Sequence, residues 1–363
     1  MTTVDTPQDA PAAVEAFGDR MVHMLSEACT ALLTSIGHRT GLFDALAAAG
    51  PVTSAGLSDA AGLQERYVRE WLNGLTVAGI VVHDPTSDGY RLPAEHAAWL
   101  TTEAGPNNLA RTMQFVPLLA QVEEGIVGCF RSGGGLPYSA YPRFHALMDS
   151  DSRAVVDAAL LDVVVPLVPG LGHRLRAGID VADVGCGSGH AINVLARAYP
   201  RCRLVGYDFS AEAIDRARAE AADWGLSNAR FDVLDVADWS EAAAYDLVTA
   251  FDAIHDQAQP GRVLSALARA LRPEGTFLMV DIKAATGVDD NLDNPFAPAI
   301  YTISTMHCMT VSLGLGGDGL GTAWGRELAT SMLHEAGFTP VDVREVEDDP
   351  FNDYYVCGRG DPG

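Results

Sequence analysis

The stretch Ile179-Asp180-Val181-Ala182-Asp183-Val184-Gly185-Cys186-Gly187-Ser188-Gly189 decides how the second half of this chain is read. Residues 179–184 are a short apolar run bounded by glycine, which predicts a buried strand. Gly185, Gly187 and Gly189 let the chain turn sharply and let a ligand approach the backbone before a helix begins. The spacing is G-x-G-x-G and not G-x-G-x-x-G, so the pyrophosphate fingerprint of dinucleotide sites is not met. Asp183, just ahead of the first glycine, suits a cationic or ammonium-bearing ligand.

Outward from this loop, helices and strands alternate. Helices are expected at 191–198, 211–224 and 262–271, and strands at 203–207, 229–234, 247–251 and 276–280. That alternation predicts a doubly wound α/β sheet, which binds ligands at the carboxyl ends of its strands. Two strands, 341–346 and 354–357, close the chain without a helix between them and predict an antiparallel hairpin. Asp208 ends the second strand, where a carboxylate can accept both hydroxyls of a ribose. Asp235 ends the third, where an acid can accept from an adenine amino group with Val236 against the ring.

The first hundred residues have a different rhythm. Residues 1–13 read as a disordered tail. Apolar residues recur at helical spacing through 14–36, then in short helices at 42–49 and 64–77, with Thr53-Ser54 able to cap another. Residues 80–82 and 90–92 flank a turn at Ser87-Asp88-Gly89. Three helices and a hairpin over 14–100 outline a winged helix. Its reading helix offers Arg66 and Arg69 beside Glu65 and Glu70, so the charges cancel, which favours a packing or dimerisation module over a DNA reader. Residues 101–176 read as a mostly helical, substrate-lining linker, interrupted by the glycine-rich 132–138.

Composition sets outer bounds. The 363 residues carry 48 acidic against 24 basic side chains, a formal charge of −24, which repels phosphate backbones and anionic membranes. Cysteines at 29, 129, 186, 202, 308 and 357 have no C-x-x-C spacing, so neither a zinc ribbon nor a redox pair is written. Free thiols, the absence of a signal-like N-terminus and the lack of a membrane-spanning run predict a cytoplasmic protein without membrane or nucleic-acid partners.

Asp183 to Gly189, Asp208, Asp235 and the closing hairpin together resemble the class I S-adenosylmethionine-dependent methyltransferases, across roughly residues 177–360 of a domain set at 177–363. The resemblance implies a Rossmann-like seven-stranded sheet of order 3-2-1-4-5-7-6 with strand 7 antiparallel. It implies an S-adenosylmethionine site built from Asp183, Gly185, Gly187, Gly189, Asp208, Phe209, Asp235, Val236 and Phe251. The preceding winged helix is similar to that of small-molecule O-methyltransferases, where the module mediates homodimerisation.

The fourth strand runs into Phe251-Asp252-Ala253-Ile254-His255-Asp256, on the same sheet edge as the glycine loop. In the O-methyltransferase relatives a His-Asp pair at this place supplies the general base, which here would be His255 and Asp256. An insertion at 284–324 reads as a lid and contains Tyr301 and Met306-His307-Cys308-Met309. These segments resemble an actinobacterial set of winged-helix methyltransferases and also the α-keto acid β-C-methyltransferases, whose two corresponding histidines bind a metal. Carried over by position, those are His255 and His307. Asp252 joins them on spacing, since residues three apart share a helical face. Such a set would hold zinc or iron. The leading expectation is metal-assisted β-C-methylation of a small α-keto acid, a secondary-metabolic reaction, with Asp256 or a metal-bound hydroxide removing the proton. Arg143 would receive the substrate carboxylate beside Tyr138, Tyr141 and Phe144. The alternative is a metal-free O-methyltransferase acting on a flat phenol with His255 as base.

Overall fold

The computed structural model describes residues 10–347 and 349–360. The chain divides into two compact units, 1–120 and 121–363. The expected linking region 101–176 is largely helical and is shared between them.

In the first unit a helix, Ala10–Arg39, leads into Leu42–Ala49, Ser54–Ala61 and Glu65–Val77, followed by strands β1 (Val82–Asp84) and β2 (Gly89–Arg91) paired antiparallel. Thr53 caps its helix by accepting from the Gly56 N–H at 3.2 Å. The core gathers Phe43, Leu46, Leu57, Leu72 and Leu75, with Phe43 edge-on to Trp71 at 5.2 Å. Gly37 is required there, because a Cβ would stand 2.6 Å from the Trp71 ring. Of the expected tail, residues 1–9 lie outside the described residues. Residues 10–13 are helical instead, continuous with the helical pattern that follows them. Arg69 Nη2 sits 2.8 Å from Glu65, and Arg66 pairs with Glu70, so the arginines of the reading helix are neutralised within it.

In the second unit the strands are β3 (Asp180–Val184), β4 (Arg203–Asp208), β5 (Ala229–Val233), β6 (Tyr245–Phe251), β7 (Leu271–Ile282), β8 (Phe338–Val346) and β9 (Asp349–Arg359). They form one sheet in the order β5-β4-β3-β6-β7-β9-β8. The first five run parallel, and β9 is antiparallel to both β7 and β8. Alternate residues feed two cores, as a sheet covered on both faces requires. Ala182, Val205, Val248, Phe277 and Met279 pack with the helices Pro260–Ala270 and Gly325–Glu335. Val181, Leu204, Leu247 and Leu278 pack with His190–Ala198 and Ala211–Asp223.

The strand order reverses between β4 and β6 across β3, the switch point at whose carboxyl ends open α/β sheets bind ligands. Two helical segments reach that edge. One is Phe144–Ala159. The other is the insertion, which folds as Ala297–Ile303, a π-helical turn Ser304–Cys308, and Met309–Gly314. Among the described residues no single helix is long and apolar enough to cross a membrane.

Candidate active site at the carboxyl edge of the sheet

The glycine loop follows β3. Gly185, Gly187 and Gly189 have φ of 66°, 53° and 73°, the left-handed backbone that glycine adopts without penalty. The three do different work. A Cβ on Gly185 would lie 2.4 Å from the Ala253 side chain, and one on Gly189 would lie 2.4 Å from the Phe231 ring. A Cβ on Gly187 meets nothing within 4 Å, so this peptide borders open space where a ligand can approach.

Acids ring that space. Asp183 is buried and accepts from Thr249 Oγ1 at 2.6 Å. Burial pushes its carboxyl up to about 7, with the Asp208 charge adding to the rise. Asp208 accepts from the Gly187 N–H at 2.9 Å and from the Ser210 N–H at 2.8 Å, one on each oxygen. Asp235 accepts from the Ala237 N–H at 2.9 Å while Val236 beside it is buried. Phe209 is half exposed, and Phe251 ends β6 on the same edge. An open glycine peptide, an acid before it and acids at two further strand ends fit a nucleoside with a cationic amino-acid arm.

His255 lies in the loop after β6 and is buried. Its Nδ1 is 2.8 Å from Asp281 Oδ1 at the end of β7. A carboxylate only accepts, so Nδ1 carries the proton and Nε2 is the basic nitrogen of the neutral ring. Burial pushes the His255 pKa down, but the Asp281 charge and hydrogen bond, with a contact from the Cys308 thiol, outweigh it and hold the pKa well above its ordinary value. The expected pairing with Asp256 is therefore corrected: the orienting acid is Asp281, and Asp256 instead accepts from the Tyr138 hydroxyl at 2.6 Å. Burial raises the Asp256 pKa against the opposing pull of His255 and Tyr138.

An aromatic wall stands opposite. His307, fully buried, stacks on Phe144 with centroids 3.5 Å apart and meets Tyr141 edge-on at 4.6 Å and Tyr138 at 5.6 Å. Tyr138 also meets Phe209 at 5.4 Å. The Tyr141 hydroxyl donates to the Met306 carbonyl at 2.5 Å, supporting the π-helical turn that presents His307 and Cys308. Tyr301 lies outside this wall and accepts from Asn291 at 3.3 Å. Arg143 is exposed, on left-handed backbone at φ 73° immediately before its helix.

The expected metal set does not assemble. Asp252 has φ 49° and sits in a loop, so it shares no helical face with His255. His307 Nδ1 lies 3.4 Å from Cys308 Sγ. Among the described residues no three His, Cys, Asp or Glu side chains are arranged to hold a metal ion. These donors fall short of the three protein ligands that a zinc site takes.

Sequence reasoning missed Asp281 and Cys308. An acid ending the fifth strand was a usable signal, of the same kind as Asp208 ending the second. Cys308 carried none, because the π-helical turn that aims it has no sequence signature.

Comparison with known proteins places this geometry. Residues 28–102 match the Rv2258c-like winged HTH domain, and residues 175–337 match a methyltransferase domain. The chain is 30% identical to a trans-aconitate 2-methyltransferase of Acidovorax sp. over 32% of this chain and 40% of that one. It thus spans less than half the length of that curated relative. Among solved structures it is similar to the S-adenosylmethionine-dependent methyltransferase SibL, at 23% identity and a TM-score of 0.66, over 94% of this chain and 99% of that one. It is also similar to the mitomycin 7-O-methyltransferase MmcR, at 17% identity and a TM-score of 0.67, over 96% and 99%. The second unit thus matches a methyltransferase domain, preceded in the chain by a match to a winged-helix domain.

Proposed function

We propose that this chain transfers the methyl group of S-adenosylmethionine to a phenolic hydroxyl of a flat small molecule, with His255 as general base. The observation that carries this reading is the 2.8 Å contact from His255 Nδ1 to Asp281 at the edge where the glycine loop opens. When bound, the cofactor supplies a methyl carbon made electrophilic by a positively charged sulfur.

The chain's residues do the rest. Gly187 gives the cofactor room, Asp208 receives ribose hydroxyls, and Asp235 with Val236 receives the adenine. His255 Nε2 takes the phenol proton as the oxygen attacks the methyl carbon, so no free phenolate has to form. Asp281 holds the ring in the productive tautomer and stabilises the imidazolium that results, as the acid of a catalytic triad does. Tyr138, half-buried, offers its ring to a planar acceptor, backed by the buried rings of Tyr141, Phe144 and His307. The proton leaves on His255 and the demethylated cofactor departs neutral at sulfur, so charge balances.

The keto acid reading needs a metal to stabilise an enolate. Asp252 sits on left-handed loop backbone and supplies no third ligand beside the two histidines, which is why the phenol reading is preferred. Similarity to an O-methyltransferase, the mitomycin 7-O-methyltransferase MmcR, supports the same choice.

A second copy of this chain is the proposed partner. Val14, Phe17 and Leu25 on the helix Ala10–Arg39 are each at least 60% exposed, an apolar stripe that would pack on its equivalent.

The test is a panel of neutral phenols and naphthols beside phenylpyruvate, with labelled S-adenosylmethionine and a metal chelator present. Label should enter a phenol, and His255→Gln should abolish the transfer. Label entering phenylpyruvate only when zinc or iron is added would restore the keto acid reading.

A further inference from the structure

The His255–Asp281 pair has a third member. Asp281 is fully buried, and three N–H groups converge on its Oδ1: His255 Nδ1 at 2.8 Å, the Ile282 amide at 2.8 Å and Trp324 Nε1 at 3.2 Å. Among the described residues Oδ2 is buried without a hydrogen bond. All the direction this carboxylate has comes from donors on one oxygen.

Trp324 is delivered to that oxygen by a turn that leaves it little freedom. Its amide donates to the Gly321 carbonyl at 3.2 Å, and the Gly321 amide donates to the His255 carbonyl at 3.1 Å. Thr286 Oγ1 donates to the Trp324 carbonyl at 2.8 Å. Gly325 follows at φ 80°, where a Cβ would stand 2.2 Å from the Thr286 nitrogen, so the chain passes only as glycine. The Trp324 side chain is buried in the core beneath β7.

The choice of a neutral donor has a local reason. Asp281 on β7 and Asp353 on β9 are register partners across the antiparallel pair, and both are fully buried. Like charges placed opposite one another repel. The same turn answers both. Arg326 takes Asp353 in a two-pronged ion pair, Nε at 2.9 Å and Nη2 at 2.5 Å, while Trp324 gives Asp281 an uncharged N–H. An arginine at Asp281 would neutralise the charge that His255 needs. The indole orients the carboxylate and leaves its charge in place.

We propose that Trp324 is a positioning residue of the catalytic pair: its indole N–H fixes Asp281 Oδ1 so that His255 is held with Nε2 facing the acceptor. This rests on His255 being the base, and the test separates the two claims.

The direct probe is the far-downfield proton resonance of His255 Nδ1–H, assigned by its loss in His255→Gln. It should move upfield and exchange faster with water in Trp324→Phe. The turnover number on the best phenol should fall about tenfold with KM unchanged. Replacing Trp324 by 3-benzothienylalanine keeps the ring shape without the N–H, and it should reproduce both effects even if the phenylalanine variant folds poorly. An unmoved resonance with wild-type turnover in the benzothienyl variant overturns the proposal. A moved resonance supports the positioning role whether or not turnover depends on His255. Turnover that ignores His255 refutes only its assignment as base.

Discussion

His307 lies flat on Phe144, their centroids 3.5 Å apart and their planes 13° from parallel. The stack fixes the imidazole of the π-helical turn against the helix Phe144–Ala159, so the two segments are held as one wall. An aromatic pair of this kind contributes about 1 kcal/mol beyond its buried area. Phe144→Leu keeps an apolar side chain and loses the stack. KM for the phenol should rise about fivefold to tenfold while the turnover number stays within about threefold, measured by steady-state kinetics.

The Cys308 thiol contacts the His255 ring and contributes to holding its pKa high. The base must be unprotonated to accept, so the kcat/KM of the wild type should still be climbing with pH above neutrality. Removing the thiol in Cys308→Ala lowers the His255 pKa and should move the rising limb to lower pH. A limb that moves upward contradicts this. The same pair affects stability. A raised histidine pKa stabilises the fold fully below the ordinary imidazole value, and that gain fades as pH rises through the folded value. Asp281→Asn should therefore cost more stability in mildly acidic than in alkaline solution, measured by urea melts.

Asp183 is pushed up to about 7 by burial. Its ionised form attracts a cationic ligand and its protonated form does not. Affinity for S-adenosylmethionine should tighten about tenfold from about pH 6 to about pH 8, following the ionised fraction. Calorimetry on Asp183→Asn should show weaker binding with that dependence gone.

The three loop glycines should separate under substitution. Gly189→Ala drives a methyl group into the Phe231 ring at 2.4 Å on left-handed backbone, and it should cost about 2–3 kcal/mol of stability. Gly187→Ala meets nothing within 4 Å, so its cost should be only the backbone strain of about 1 kcal/mol, with cofactor affinity bearing the larger loss.

Much of this was legible in the sequence, for physical reasons. Strand–helix alternation and the glycine loop carry periodic and conformational signals that any chain must show to build such a sheet. Asp208 and Asp235 were readable because strand ends converge on one edge. The pair proposed for catalysis was half legible. His255 followed from its place after the fourth strand, but its acid was sought next door at Asp256. A partner 26 residues away shows only as an acid at a strand end, and nothing near His255 ties it to that ring. The metal set failed for a related reason. Three-residue spacing implies a shared face only on a helix, and Asp252 sits on left-handed backbone in a loop. The tail was misjudged at its inner end, where 10–13 continue the first helix.

The most direct test of the central claim is the rate of methyl transfer from labelled S-adenosylmethionine to the best phenol, at saturating cofactor with a chelator present, in wild type and His255→Gln. The account predicts unimpaired transfer by the wild type and a loss of about a hundredfold or more in the variant, with cofactor affinity unchanged. Transfer by His255→Gln within a few-fold of wild type, or wild-type transfer abolished by the chelator, would contradict it.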